Sequence, residues 1–147
     1  MTSSSVDELL ALTLDITRQL RRTMRTLCGE EKEVNMLQLH AVALIKEHDG
    51  MTMKEFAQYL KITSPSATSF INRLVSVGWV KRVPDSTNRK LVRLRLSPQG
   101  QRMFAIKLQE RRGVLKQMLA TLSQQDQRDL VRILRKLSHS LNSSSHS

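Results

Sequence analysis

The sequence has 147 residues, with 24 Lys and Arg against 13 Asp and Glu, which gives a formal net charge of +11. That length is sufficient for one domain with a sizeable core, and the charge favours a polyanionic partner, either nucleic acid or an anionic membrane surface. One cysteine excludes an intrachain disulfide and a cysteine-cluster metal site, and aromatic residues at 3% are too few for single-strand stacking platforms.

No stretch of the sequence has the pattern of a membrane span or an export signal. No apolar run is long enough to cross a bilayer, and the first residues, MTSSSVDELL, lack a basic segment followed by an apolar one. The sequence therefore predicts a soluble cytoplasmic protein that makes no membrane contact.

The first predicted helix is long and amphipathic. Apolar residues recur at helical spacing over about 6–28, and the helix is expected to end near Gly29. Its other face carries arginines at 18, 21, 22 and 25, which we interpret as a solvated face rather than a phosphate contact. A charged connector, residues 30–33, follows.

Two capping patterns mark the next two helices. Asn35 with Gln38 begins a helix that closes at Gly50, where glycine supplies a left-handed C-terminal conformation. Thr52 with Glu55 is a capping box for a third helix, and a short strand is expected just before it. The third helix leads through a short turn into a fourth, as in a helix-turn-helix.

The fourth helix is predicted to begin at Ser64-Pro65, with the serine as its cap. On a helical wheel its apolar residues fall on one side, while the opposite side is small, polar and free of acidic residues. Such a surface suits the major groove, where hydroxyls, amides and arginine reach base edges and phosphates. The candidate DNA contacts are Ser64, Pro65, Ser66, Thr68, Ser69, Asn72 and Arg73.

A basic β-hairpin is predicted after the fourth helix. Strands at 79–83 and 91–96 flank a turn-forming segment, Pro84–Asn88, and Trp79 is expected to pack in the core. Asp85 is the one acid among six cations of this hairpin. Its candidate DNA contacts are Arg82, Asn88, Arg89 and Lys90.

Two more long helices complete the chain. One begins at Ser97-Pro98, with Gly113 as a point for a bend or a close approach, and the other is capped by Ser123 and Asp126. Residues 138–147 lose helical periodicity, and the segment is expected to end in disorder. The apolar stripes of the first, fifth and sixth helices predict pairing with a second copy of the chain.

In the order and spacing of these motifs, the sequence resembles the MarR family of transcriptional regulators. The matching parts are Gln38, the segment ITSPSATSFINRLVSVGWVKR, the wing loop Asp85…Arg89-Lys90, the segment LSPQG, and Leu122-Ser123 with the leucines that follow. The resemblance implies one mainly α domain with a small β wing, with a winged helix-turn-helix at about 35–97 and dimerisation helices at about 6–28 and 98–142.

The resemblance also implies how DNA is bound. The fourth helix would enter the major groove of a palindromic duplex, Arg89 would reach the minor groove, and Asp85 would orient that arginine. Ser69 departs from the family pattern, which has arginine there, and Thr87-Asn88 replaces the usual arginine and aspartate of the wing. Relatives' base preferences therefore do not transfer to this chain.

The leading hypothesis is a homodimeric, sequence-specific transcriptional regulator, a repressor released by a small anionic or phenolic effector. The alternatives are a non-specific architectural DNA-binding protein and a protein-interaction module with the same fold. No nucleophile–base pair, phosphate loop or histidine cluster with ligand spacing is present in the sequence. We therefore expect no enzyme activity, no cofactor and no metal.

Overall fold

Helices separate the first short strand from the other two, and the order of elements is that expected from the sequence. The computed structural model describes residues 2–28 and 35–144. The mainly helical fold with a small antiparallel sheet is confirmed, and its elements are α1 (Ser3–Cys28), α2 (Met36–Glu47), β1 (Met51–Thr52), α3 (Met53–Leu60), α4 (Ser64–Ser76), β2 (Val80–Pro84), β3 (Val92–Leu96), α5 (Pro98–Leu119) and α6 (Gln124–Ser144).

The predicted caps are confirmed at four helix starts. The Asn35 side chain accepts from the Leu37 backbone amide at 2.6 Å. The Asn35 backbone amide donates to the Gln38 side chain, which completes a capping box for α2. Thr52 and Glu55 form the same reciprocal pair at α3. The hydroxyls of Ser97 and Ser123 accept from the first turns of α5 and α6. Each cap satisfies an amide that the helix leaves without a partner.

Three local predictions were wrong. The cap of α4 is Thr63, whose hydroxyl accepts from the Ser66 amide at 3.3 Å, so Ser64 lies inside the helix. The helix α6 continues through Ser144, although helical periodicity was expected to be lost from residue 138. The helix α5 continues through Gly113 without a break, and nothing lies within 4 Å of the space that a Cβ would occupy there. Gly29 and the connector 30–33 fall outside the described residues.

The sheet has the strand order β1-β3-β2, and both pairings are antiparallel. Met51 lies opposite Leu94, which confirms the short first strand, and Val80 lies opposite Leu96. The side chains of Leu94 and Leu96 are buried, while Arg95 between them is exposed. The hairpin of β2 and β3 therefore has one face on the core and one face toward solvent.

One hydrophobic core lies within Cys28–Gln109, which forms one of two compact units of the described chain. It is built from α2, α3, α4 and the sheet, with Phe56, Ile45, Ile71, Leu74 and Leu94 among its fully buried side chains. Trp79 is partly buried against this core, as expected from its position at the junction of helix and strand. The core thus fixes α4 against the hairpin, and both of these elements carry candidate DNA contacts.

The second unit comprises the described residues of Met1–Leu27 and Glu110–Ser147. Many large apolar side chains along its helices are exposed, including Leu10 at 58% and Leu141 at 70%. Among the described residues, no helix combines the length and the apolar character that crossing a membrane requires.

A tight contact joins the end of α4 to the start of α5. The Trp79 carbonyl accepts from the Ser97 amide at 2.9 Å, and the Ser97 hydroxyl donates to the Gly78 carbonyl at 2.5 Å. A Cβ on Gly100 would lie 2.0 Å from the Trp79 carbonyl oxygen. Glycine is therefore required at position 100 by the closeness of the two backbones.

We expect Gly100→Ala to lower the free energy of unfolding by about 3 kcal/mol, at the upper end of overpacking, because backbone atoms have to shift. Gly113→Ala is the matched control, since that glycine lies in open space within the same helix. It should stabilise the protein by roughly 0.5–1 kcal/mol through its helix propensity. Thermal and urea unfolding at one protein concentration measure both, and equal effects would contradict the assigned contact.

Candidate nucleic-acid interface

The solvent-facing side of α4 is an exposed polar surface. Ala67, Ile71 and Leu74 are buried, and the helical period places the residues between them outward. An open depression runs along this outer face of α4, which is lined by Ser64, Pro65, Thr68, Ser69, Asn72, Arg73 and Ser76. All seven are exposed. The face contains no acidic residue, so nothing on the helix itself repels a phosphate.

The hydroxyls of this helix differ in what they bond. Ser66 accepts from the Thr63 hydroxyl at 2.9 Å, and Ser76 donates to the Arg73 carbonyl at 2.8 Å. Within the described part of the chain, Thr68 and Ser69 make no side-chain hydrogen bond, and both are exposed. These two hydroxyls are therefore available to a ligand, whereas the Ser76 hydroxyl uses its proton within the helix and the Ser66 hydroxyl keeps its proton free to donate.

Asn72 and Arg82 are hydrogen-bonded to each other. The Arg82 Nη2 atom donates to Asn72 Oδ1 at 2.5 Å, which links α4 to β2 across the surface. Arg73, the neighbour of Asn72, lies over the Phe70 ring with its guanidinium 5.9 Å from the ring centre. Two predicted contacts from different elements, Asn72 and Arg82, thus meet at one place.

The Asp85 carboxylate organises the turn between β2 and β3. Its Oδ2 atom accepts from the Thr87 hydroxyl at 2.8 Å and from the Asn88 amide at 2.9 Å. Its Oδ1 atom accepts from Arg93 Nε at 2.6 Å. The Arg93 guanidinium and the turn donors hold the pKa of Asp85 well below its usual range. The carboxylate is therefore ionised at any pH near neutral.

The family resemblance implied that Asp85 would orient Arg89, but in the structure Asp85 pairs with Arg93 instead. Asp85 lies opposite Leu91 in the hairpin, and Arg93 is two residues further along β3, where a diagonal partner on the same face of a sheet is in reach. Arg93 also donates to the Gly50 carbonyl at 2.9 Å. Asp85 therefore fixes the wing turn, residues 85–91, to the body of the unit.

Asn88 also has a role within the turn. Its Oδ1 atom accepts from the Lys90 amide at 3.1 Å, and its carbonyl accepts from the Leu91 amide at 3.0 Å. The side chains of Arg89 and Lys90 are exposed and form no ion pair with any described residue. The structure thus brings two unpaired cations together at the tip of an ordered turn, where they are free to contact phosphate or a groove.

We expect Asp85→Asn to weaken DNA binding by roughly three- to tenfold, because the released turn has to be ordered again on binding. Asp129→Asn is the matched control, since Asp129 also accepts from an arginine, Arg132, at 3.1 Å, but does so on α6. Both changes raise the net charge by one, which alone favours DNA. Fluorescence anisotropy with a labelled duplex measures both, and tighter binding by Asp85→Asn would contradict the role of the turn.

Sequence reasoning missed Thr63, Arg93 and the Asn72–Arg82 pair. A Thr-x-x-Ser spacing, Thr63 to Ser66, was a readable signal for the cap. The eight-residue separation of Asp85 and Arg93 across a predicted hairpin was another, once the register is known. The pairing of Asn72 with Arg82 had no such signal, since it depends on how α4 packs on the sheet.

Among the described residues, no group of three or more His, Cys, Asp or Glu side chains is arranged to hold a metal ion. The polar chemistry of this surface consists of hydroxyls, an amide and cations, which bind anions through hydrogen bonds and charge. The surface is therefore suited to binding a nucleic acid.

Known proteins with the same features are transcriptional regulators. Residues 34–92 match the model of the MarR family. Over 109 residues the chain is 23% identical to the uncharacterized HTH-type transcriptional regulator YdgJ of Bacillus subtilis (strain 168), a match covering 74% of this chain and 66%, just under two thirds, of that protein. The HTH-type transcriptional repressor MdtR of the same organism is 23% identical over 108 residues, covering 74% of this chain and 70% of MdtR.

Solved structures agree with this match. A MarR family protein from Bacillus stearothermophilus has a TM-score of 0.78 and 25% identity, covering 97% of this chain and 99% of that chain. FabT of Streptococcus pneumoniae, solved in complex with DNA, has a TM-score of 0.77 and 19% identity with the same coverage. With the winged helix-turn-helix described above, these matches show that residues 34–92 belong to the MarR family and that the chain has the fold of a MarR family protein.

Proposed function

We propose that this chain is a sequence-specific repressor that binds a palindromic operator as a homodimer. The observation that carries the proposal is the outer face of α4, exposed, polar and free of acid, beside the two unpaired cations at the tip of the wing turn. A helix of this chemistry fits the major groove, and a cationic hairpin fits an adjacent minor groove. The complex of FabT with DNA supports DNA as the ligand.

The proposed homodimer follows from the apolar stripes of α1, α5 and α6. Side chains of α6 on its apolar stripe, Leu134, Leu137 and Leu141, are each at least 55% exposed in the single chain. Exposed apolar stripes of this extent mark interfaces, and a two-fold dimer is the commonest way to cover them. We assign dimerisation to the helices at about 6–28 and 98–142 and DNA binding to residues 35–97 of a single domain.

The proposal of repression draws on MdtR, which is named as a repressor, and the proposal of an effector draws on family membership. A small anionic or phenolic molecule would release the operator by changing the spacing of the two recognition helices. Half-sites lie about one turn apart, ~34–36 Å, so a modest rotation misaligns both helices. The relatives are regulators rather than enzymes, which favours a role without catalysis.

Competition between DNA sequences tests the proposal. Genomic fragments retained by the protein are sequenced, and the enriched site is titrated against a scrambled duplex of the same length at moderate salt. A specific regulator prefers its operator by ~10³ or more, with a palindromic footprint. Near-equal affinities would support the alternative of an architectural protein that only neutralises phosphate. Binding that survives charge reversal at Arg89 and Lys90 would instead favour an interaction module.

A further inference from the structure

We propose that Asn72 and Arg82 act as one composite hydrogen-bond donor that reads an acceptor-only site on DNA. In this pair Arg82 orients the amide of Asn72 on the outer face of α4 and keeps further N–H groups that can bind the same ligand. The inference rests on the proposed function, because it assigns a ligand chemistry to one part of the same interface. The observation behind it is the 2.5 Å bond from Arg82 Nη2 to Asn72 Oδ1.

The bond fixes which end of the amide faces outward. An asparagine amide has a carbonyl oxygen that accepts and an amino group that donates, whereas a guanidinium donates only. The atom of Asn72 beside Arg82 is therefore the oxygen, and the amino group is left to donate elsewhere. Without Arg82, the amide could rotate and offer either end to a ligand.

Both partners are held by the core, although their polar ends are exposed. Asn72 follows Ile71 directly, and Ile71 is fully buried within α4. Arg82 lies opposite Leu94 in the sheet, and Leu94 is also fully buried. The two backbones are thus anchored on separate elements, and the amide is held between them rather than on a mobile loop.

The groups that this pair leaves for a ligand are mainly donors. The Asn72 amino group and the remaining guanidinium N–H groups of Arg82 can bind only acceptors. A guanine edge, with N7 and O6, fits this pattern, as do the oxygens of a phosphate. An adenine edge pairs an acceptor with a donor, and the Asn72 oxygen that would receive that donor is turned toward Arg82, with one of its two lone pairs already used. The pair therefore favours guanine over adenine, or it binds the backbone.

A double-mutant cycle tests whether the two residues act together. Operator affinity is measured for Arg82→Met, Asn72→Ala and the double variant, with thermal unfolding to verify that each variant is folded. Methionine keeps an apolar stem and removes every donor. If the residues form one unit, each single change weakens binding about tenfold, and the double variant is no more than about twofold weaker than the poorer single. Single effects that multiply in the double variant would overturn the proposal.

Lys81→Met is the matched control. Lys81 precedes Arg82 on β2, carries the same charge and makes no ion pair with the described residues. Its removal should also weaken binding to an anionic ligand, but its effect should multiply with that of Asn72→Ala. Equal coupling in the Lys81 and Arg82 cycles would mean that the coupling arises from charge alone, and would overturn the pairing.

Two further measurements distinguish guanine from phosphate as the group that the Asn72–Arg82 pair binds. If the pair reads guanine, sites selected by Arg82→Met admit adenine at one base pair of each half-site, while wild-type sites hold guanine there. If it binds phosphate, base preference is unchanged, and the slope of log affinity against log salt falls by roughly 0.9 for each phosphate that is no longer neutralised. A variant that changes neither preference nor slope relative to the Lys81 control would contradict both readings.

The outcome of the double-mutant cycle can be separated from the outcome of the test for sequence-specific regulation. A wild-type preference of ~10³ for the operator supports sequence-specific regulation whatever the cycle shows. Additive effects in a protein that keeps this preference overturn the composite donor alone. A wild-type protein without any preference overturns the proposed function, and coupling measured on a non-specific duplex then reports whether the pair contacts phosphate.

Discussion

Replacing Leu134 and Leu137 by lysine is expected to convert the protein to single chains and to weaken operator binding by roughly 10²–10⁴, which is the gain that linking two binding modules provides. Both side chains are 55% exposed on the apolar stripe of α6. A lysine in a buried interface leaves a charge without water or a partner, which is costly. Sedimentation velocity and anisotropy on one duplex measure the two effects.

Lysine makes this test stringent, because added positive charge by itself strengthens binding to DNA. The matched control is Gln124→Lys with His139→Lys, which adds charge to α6 away from its apolar stripe, where both residues are exposed. The control should remain a dimer and bind the operator at least as tightly as wild type. If the Leu134 and Leu137 variant still sediments as a dimer, α6 does not form the interface.

Arg89→Ala is expected to weaken operator binding by about 10- to 100-fold and to reduce the salt slope by roughly 0.9 if the arginine neutralises one phosphate. Arg89 is exposed, forms no ion pair with described residues, and lies on a turn ordered by Asp85 and Asn88. The substitution therefore removes a cation from the interface without disturbing the fold. Titrations at several salt concentrations measure both quantities.

Arg18→Ala is the control for charge, because Arg18 lies on the exposed arginine face of α1 that we interpret as solvated. We expect its operator affinity to stay within about twofold of wild type. Similar effects at Arg18 and Arg89 would indicate diffuse binding by net charge, as in an architectural protein. An unchanged affinity and slope for Arg89→Ala would remove that residue from the interface.

Local sequence signals were sufficient for the order of the elements. The capping boxes at Asn35 and Thr52 depend on residues three positions apart, so they can be predicted from the local sequence. The exposed side of α4 was equally readable, since Ala67, Ile71 and Leu74 recur at helical spacing. The alternation of leucine and arginine in β3 predicted the half-buried strand.

Contacts between elements could not be predicted from the sequence, because they depend on how the elements pack against one another. The pairing of Asp85 with Arg93 depends on the hairpin register, and a family-based expectation had placed Arg89 there instead. The contact of Gly100 with the Trp79 carbonyl depends on how closely α5 begins to the end of α4. The helical state of residues 138–144 was missed because weak apolar periodicity was taken as disorder. The first two outcomes are decided by how separate elements are placed against one another.

The central claim is that two chains hold two recognition helices on one duplex, and the mass of the protein–DNA complex tests it most directly. Sedimentation equilibrium of the protein with an excess of operator duplex should give the mass of one duplex plus twice the 16.8 kDa chain. Free protein at micromolar concentration should have twice the chain mass as well. A single chain per duplex, or a number of bound chains that grows with duplex length regardless of sequence, would contradict the account.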